Sequence, residues 1–336
     1  MMLVVDSAAR AEALADALSR DGLSARAFPR ANPPLVDVRE AVPSASGWAG
    51  VDRVLEGRGP FLSDRTVHPD RRVVAVGPTT FGGRAIPVIA GPCSVDDPGR
   101  LARVANGVRG AGAALLRAGV TKARTSPFGF QGRGTGALPL LGEVGRTHGL
   151  PVVSEVLAVE DVPVFAEHAD MLQVGARNMH NMPLLRALGR CGRPVLLKRG
   201  FGSTIDELLH AADAVLAEGN EDVVLCERGI RTFEGGVRFS LDLSALALLL
   251  ERTRLPVVVD PSHAAGRSSL VPALARAALA AGADGLLIEV HDQPAEALSD
   301  KEQALDLEAF DALMRQLGAI AGAMGRSLTA PAPRPE

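Results

Sequence analysis

Ala113-Ala114-Leu115-Leu116-Arg117-Ala118-Gly119-Val120-Thr121-Lys122-Ala123-Arg124-Thr125-Ser126-Pro127 opens as a short apolar run and closes in cations and hydroxyls. Such a run without polar alternation reads as a buried strand. Arg117, Lys122 and Arg124 then follow within eight residues. An unpaired buried charge costs several kcal/mol, and no acidic residue stands nearby in sequence. Either an anionic ligand meets these cations or distant carboxylates do; the stretch alone leaves both open.

Working outward, the same unit recurs. Short aliphatic runs at Val88-Ile89-Ala90, Ala114-Leu115-Leu116, Val152-Val153-Ser154, Met171-Leu172-Gln173-Val174, Val195-Leu196-Leu197, Val223-Val224-Leu225, Val257-Val258-Val259 and Leu286-Leu287-Ile288 alternate with Ala/Leu-rich helical segments. The spacing averages about 30 residues, the size of one βα unit. Eight such units predict an α/β fold, a (β/α)8 TIM barrel. An open doubly wound sheet is the alternative. It is disfavoured because no Gly-x-Gly-x-x-Gly follows an early strand.

Residues 1–70 break the rhythm. Leu3-Val4-Val5 reads as a strand, Ala8 to Leu18 as a helix, Leu23 to Phe28 and Leu35 to Val38 as two more strands, and Pro43 to Gly47 as a loop. This is a small N-terminal α+β module. Val73 to Val76 and Ala85 to Val88 predict a hairpin leading into the barrel. The division is therefore an assembly or regulatory module over 1–70, a catalytic barrel over 71–325 and a disordered tail over 326–336.

Composition narrows the function. The 336 residues carry a formal net charge of −3, so the chain lacks the basic footprint of a nucleic-acid binder. No apolar run has the length of a membrane span, and Met1 to Asp6 lacks the pattern of a signal peptide. Cys93, Cys191 and Cys226 are too few and too scattered for a disulfide framework. The expectation is a cytoplasmic protein with reduced thiols.

Barrel active sites form at the C-terminal ends of the strands. Here those ends carry Cys93, Arg117, Glu155, Arg177, Lys198, Glu227 with Arg228, Asp260 with His263, and Glu289 with His291. One group is metal-like. Cys93, His263 and Glu289 come from strands that are neighbours once a barrel closes, and Asp300 follows in the last loop. Thiolate, imidazole and two carboxylates suit a borderline divalent ion such as Mn, Fe, Co or Zn. Cys93 by itself has a second, weaker reading as a small buried residue, and His291 fits a supporting position better than a ligand position. The other group is cationic. Arg117, Arg177, Lys198 and Arg228 surround one mouth and suit phosphate and carboxylate. Lys122, Arg124, Thr125 and Ser126 suit a second phosphate. Two phosphorylated substrates and a metal favour aldol-type joining or metal-assisted phosphate loss over hydride transfer.

These motifs together are recognisable. Gly91-Pro92-Cys93-Ser94, Lys122-Ala123-Arg124-Thr125-Ser126-Pro127, Gly175-Ala176-Arg177-Asn178, Leu196-Leu197-Lys198-Arg199-Gly200, Cys226-Glu227-Arg228-Gly229-Ile230-Arg231-Thr232-Phe233, Asp260-Pro261-Ser262-His263 and Ile288-Glu289-Val290-His291 with Ala297-Leu298-Ser299-Asp300 resemble 3-deoxy-D-arabino-heptulosonate 7-phosphate (DAHP) synthase of the type I beta class. That class is related to 3-deoxy-manno-octulosonate 8-phosphate (KDO8P) synthase. The resemblance implies a metal-dependent barrel that condenses phosphoenolpyruvate with erythrose 4-phosphate at the entry to the shikimate pathway. It implies Cys93, His263, Glu289 and Asp300 as metal ligands. Arg117, Arg177, Lys198 and Arg228 would bind phosphoenolpyruvate, and Lys122, Arg124, Thr125 and Ser126 the aldose phosphate. Lys198, Cys93, His263 and Glu155 form the catalytic set; Glu155 fits either a water-orienting role or a structural salt bridge. Relatives are dimers or tetramers, and the module at 1–70 resembles a degenerate ferredoxin-like regulatory domain with a shortened second helix.

The chain departs from the family pattern at several points. Ala123 stands at the usual proline, Val120 and Thr121 lie where an alanine and an aromatic are common, Ala264-Ala265-Gly266 replaces Ser-Gly-Gly, and Phe239 replaces an asparagine. None removes a charged or metal-binding group. The alternatives are the same chemistry on another aldose phosphate, as in KDO8P synthase, or a silent paralogue that regulates a partner such as chorismate mutase. The Lys-x-Arg-Thr-Ser-Pro spacing favours the heptulosonate enzyme.

Overall fold

The computed structural model describes residues 1–40, 45–57, 59–122 and 128–332. Eight parallel strands close into a barrel in chain order: β1 Val88–Gly91, β2 Leu115–Arg117, β3 Val152–Glu155, β4 Met171–Val174, β5 Val195–Lys198, β6 Val223–Glu227, β7 Val257–Val259 and β8 Gly285–Glu289. Closure runs from Leu286 opposite Val88 to Glu289 opposite Gly91. Helices cover the outside and the strands face one another inside, so both faces of each strand are buried. That explains why the strands read as continuous Val/Leu/Ile runs rather than as alternation.

A hairpin fills the barrel from its N-terminal end. Val74, Val76 and Phe81 pack with Ile89, Leu115, Met171, Leu196, Val258 and Leu287 in one buried cluster. The hairpin pairs Val74–Val76 with Thr79–Phe81, which corrects the expected second strand at Ala85 to Val88. The turn is Gly77-Pro78, with Gly77 at φ +56°, and glycine at the first central position is what such a two-residue turn requires. Ala85–Ile86 pairs instead with Ser327–Leu328, in parallel, and the Thr329 N–H donates to the Ile86 carbonyl at 2.9 Å. The expectation of disorder from residue 326 is therefore corrected at these positions. Two apolar-tolerant residues at the chain end satisfy the backbone of an otherwise unpaired strand.

The N-terminal module is a four-stranded antiparallel sheet ordered Ala25–Phe28, Leu35–Val38, Met2–Val5, Val51–Leu55. The helix Ala8–Arg20 packs on it, capped by the Ser7 side chain, which accepts from the Arg10 N–H. This is the strand order of a ferredoxin-like sheet. Between its last two strands only a 3-10 turn, Ala45–Gly47, is seen among the described residues. The chain then runs to the barrel past Asp213, whose carboxylate accepts from the N–H groups of Phe61, Leu62 and Ser63 at 2.7, 3.1 and 2.8 Å. No described helix is long and apolar enough to cross a membrane.

Candidate active site

The metal-type residues converge. One donor atom from each of Cys93, His263, Glu289 and Asp300 lies within 4.8 Å of the others. Cys93 and Glu289 are buried, and His263 and Asp300 are partly open to the barrel mouth. Each is held by neighbours. Asp260, at the end of β7, caps the short helix Pro261–Ala265 by accepting from the His263 N–H at 2.9 Å. Its Oδ2 lies 2.7 Å from His263 Nδ1 and 2.5 Å from Lys198 Nζ. A carboxylate on Nδ1 sets the tautomer that leaves Nε2 for a ligand. Glu289 accepts from Arg117 Nη1 and from Gln303 Nε2, both at 2.5 Å, and its Oε1 is 3.3 Å from His263 Nε2.

Asp300 stands in the left-handed region at φ +51°, which Asp tolerates better than most residues. A buried network fixes its loop. The Asp96 carboxylate accepts from Ser94 Oγ at 2.6 Å and from the Leu298 N–H at 3.0 Å, and it lies 3.3 Å from His291 Nε2. Ser94 Oγ is also 2.7 Å from Ser299 Oγ. His291 thus steadies the loop that delivers Asp300.

Charge is tuned by burial and by pairing. Burial, reinforced by Glu289, pushes the Cys93 thiol up to about 12 even beside Lys122. Burial also raises the Asp300 carboxyl, but Lys122 and the Cys93 thiol outweigh it and hold the group well below the usual carboxylate range. Burial lowers the His263 pKa against the pull of Asp260, so the imidazole is neutral and able to ligate.

The cationic group divides in two. Arg117 pairs with Glu289, Lys198 with Asp260, and Lys122 reaches Asp300 Oδ2 at 3.8 Å. Distant carboxylates therefore do meet part of the opening stretch. Lys122 points into the metal-type cluster, with Nζ 2.7 Å from Cys93 Sγ. Arg124, Thr125 and Ser126 lie outside the described residues. Arg228 and Arg177 have no carboxylate partner among the described residues. Burial lowers the Arg228 pKa to about 10, and Arg177 is exposed at the mouth. Glu155 is half-buried and its Oε2 accepts from Gln173 Nε2 at 3.2 Å. Arg199 is structural, bound to Glu227 and Asp242 at 2.9 and 3.2 Å.

Sequence reading missed Asp260 as the residue that orders His263 and Lys198, and Gln303 and Arg238 as supports of Glu289 and Asp300. Asp260 carried a signal, since it opens the Asp-Pro-Ser-His turn; Gln303 carried none.

A thiol, an imidazole and two carboxylates converging on one barrel mouth define a candidate divalent-metal site where barrel enzymes carry their chemistry. Residues 74–322 match the model of the DAHP synthetase I family, and the chain belongs to that family. It is 44% identical over 276 residues to a phospho-2-dehydro-3-deoxyheptonate aldolase of Thermotoga maritima, covering 82% of each chain. It is 35% identical over 248 residues to a 2-dehydro-3-deoxyphosphooctonate aldolase of Acidithiobacillus ferrooxidans, covering 68% of this chain and 87% of that one. The crystal structure of the Thermotoga maritima DAHP synthase superposes with a TM-score of 0.79 at 37% identity over 98% of both chains, so the likeness takes in the N-terminal sheet as well as the barrel.

Proposed function

We propose that this chain joins phosphoenolpyruvate to erythrose 4-phosphate and water, giving 3-deoxy-D-arabino-heptulosonate 7-phosphate and inorganic phosphate. The observation that carries this reading is the metal-type cluster sharing one mouth with two cations, Arg228 and Arg177, that have no carboxylate partner among the described residues. Cys93, His263, Glu289 and Asp300 would hold a divalent ion, and their mixed soft and hard donors fit Mn, Fe, Co or Zn. The chemistry such an ion supplies when bound is Lewis-acid polarisation of the aldehyde.

The chain's own residues do the rest. Arg228 and Arg177 bind the phosphoenolpyruvate anion, bidentately where the fork allows. Lys198 and Arg117 surround the same floor and stabilise the charge carried off by the departing phosphate. C3 of the enol bonds to the aldehyde carbon, a water oxygen adds at C2, and the C2–O bond to phosphate breaks. Glu155, at the end of β3, orients that water. Arg124, Thr125 and Ser126, with Lys122, take the aldose phosphate. The two anions repel each other, so binding is ordered.

The reading includes a homodimer or homotetramer, measured by light scattering, a cytoplasmic setting, and chorismate mutase as the partner to test by co-sedimentation. The decisive experiment is phosphate release from phosphoenolpyruvate with a panel of four- and five-carbon aldose phosphates, with added Mn²⁺ and with chelator. Turnover is expected with erythrose 4-phosphate and is lost on chelation. Turnover only with a five-carbon aldose phosphate would transfer the chain to octulosonate chemistry, and none at all would sink the enzyme reading.

A further inference from the structure

The loops after β5 and β6 bring together two rings that the metal-type cluster does not use. Phe201 and Phe239 are stacked, with centroids 4.9 Å apart and planes at 9°. The Arg228 guanidinium lies 4.2 Å from the Phe239 centroid and 4.9 Å from that of Phe201. Arg177 and Arg231 approach Phe201 at 5.3 and 5.6 Å.

Arg228 differs from the other buried cations of the mouth. Arg117, Lys198 and Arg199 each contact a carboxylate. Arg228 has none among the described residues. Among the described residues its buried Nη1 has no hydrogen-bond partner, and Nη2 reaches only the His263 carbonyl, at 3.4 Å. A ring face attracts a guanidinium through its quadrupole but leaves the in-plane N–H donors free. A carboxylate in that place would engage the same donors and compete with an anionic ligand. Aromatic neighbours therefore fix this arginine without neutralising it.

The platform is itself held rigidly. The Phe239 N–H donates to the Ala264 carbonyl at 2.9 Å, and the Arg231 N–H to the Phe201 carbonyl at 2.7 Å. Gly229 has φ +89°, and a Cβ there would lie 2.8 Å from Phe239 Cβ and 3.1 Å from Ala264 Cβ. Only glycine lets the chain pass between these two side chains. Phe239 and Ala264 meet at this glycine.

The geometry points to Phe201 and Phe239 as a positioning platform that presents Arg228 as an open fork for the phosphoenolpyruvate anion, with Phe239 setting the affinity. This rests on the assignment of Arg228 to phosphoenolpyruvate. The test compares Phe239→Leu, which removes the ring, Phe239→Tyr, which keeps it, and Phe201→Leu as a second route. Steady-state kinetics are paired with calorimetric binding of phosphoenolpyruvate. Phe239→Leu is expected to raise the phosphoenolpyruvate KM and Kd by about 3- to 30-fold, with kcat and the erythrose 4-phosphate KM within about twofold; Phe239→Tyr restores wild-type values. Where Phe239→Leu does not fold, Phe201→Leu must show the same split. Unchanged phosphoenolpyruvate Kd, or equal losses for both substrates, overturns the platform. If the wild type neither binds phosphoenolpyruvate nor turns over, the reaction assignment fails separately. Inorganic phosphate as the probe then decides the platform by the same comparison of variants.

Discussion

Cys93 Sγ and Lys122 Nζ are 2.7 Å apart, and Asp300 Oδ2 lies 2.8 Å from the same sulfur. Neither the ammonium nor the neighbouring Arg117 offsets the desolvation of the thiol, which stays protonated at neutral pH with a pKa of about 12. Thiolate, not thiol, coordinates a metal. Uptake of a divalent ion should therefore release about one proton, and the affinity should rise toward tenfold per pH unit while the free thiol remains protonated. His263 adds no proton, because burial already keeps it neutral. Calorimetric titration with Mn²⁺ or Zn²⁺ in buffers of different ionisation enthalpy measures the release. A binding heat independent of the buffer would show that Cys93 gives up no proton on binding, and Cys93→Ala should lose the ion and the turnover together.

Asp260 serves two residues at once. Burial pushes its pKa up, but His263 and Lys198 outweigh that and hold it well below the usual carboxylate range. Asp260→Asn keeps the size but removes the charge that Lys198 pairs with and weakens the acceptor that holds His263 Nδ1. We expect metal affinity to fall by about 10- to 100-fold, the range for residues that orient a ligating histidine, while far-UV dichroism is unchanged. Competition with a chromophoric chelator reads the affinity. Wild-type affinity in Asp260→Asn would mean that His263 needs no such partner.

Much of this was legible from local pattern. Each strand is a largely buried run of three to five residues, and an ionisable or ligating residue stands at its C-terminal end or within three residues beyond it, so the barrel and its functional rim follow from spacing. What was not legible is who pairs with whom. Arg117 and Glu289 are 172 residues apart, and only barrel closure makes β8 the neighbour of β1. Lys122 sits in a cationic cluster of sequence, yet its ammonium points into the metal-type donors. The hairpin register depends on a single Gly-Pro turn, and the pairing of Ser327–Leu328 depends on an edge strand more than 200 residues away. Phe239 stands out in the sequence, but its stacking partner Phe201 comes from another loop, and spacing does not show that pair.

The hairpin should matter for stability rather than for catalysis. Phe81 is fully buried and, with Val74 and Val76, fills the end of the barrel opposite the active site. Phe81→Ala leaves a cavity beneath Ile89 and Leu287 and should destabilise the barrel by about 3–5 kcal/mol. Urea unfolding measures this as a lower midpoint. Phe81→Leu should recover most of the loss, with metal affinity unaffected. A midpoint unchanged in Phe81→Ala would show that the hairpin detaches without consequence for the barrel.

One carboxylate clasps the segment that joins the N-terminal sheet to the barrel. Asp213 lies on the helix Ile205–Leu216, and its two oxygens accept from three successive N–H groups of the incoming chain. Next to it, Ser63 Oγ donates to the Leu209 carbonyl at 3.2 Å and the Arg254 N–H to the Ser63 carbonyl at 3.0 Å, so the segment is stitched from both sides. Burial raises the Asp213 pKa, and the N–H groups of Ser63, Leu62 and Phe61 pull against it. Asp213→Ala strands those donors and should weaken the junction by about 2 kcal/mol. Cleavage by a broad protease near residue 60 should speed up before the barrel itself unfolds. Asp213→Asn retains an acceptor oxygen and should fall between the two. Equal cleavage rates in wild type and Asp213→Ala would show that the remaining contacts hold the module without this clasp.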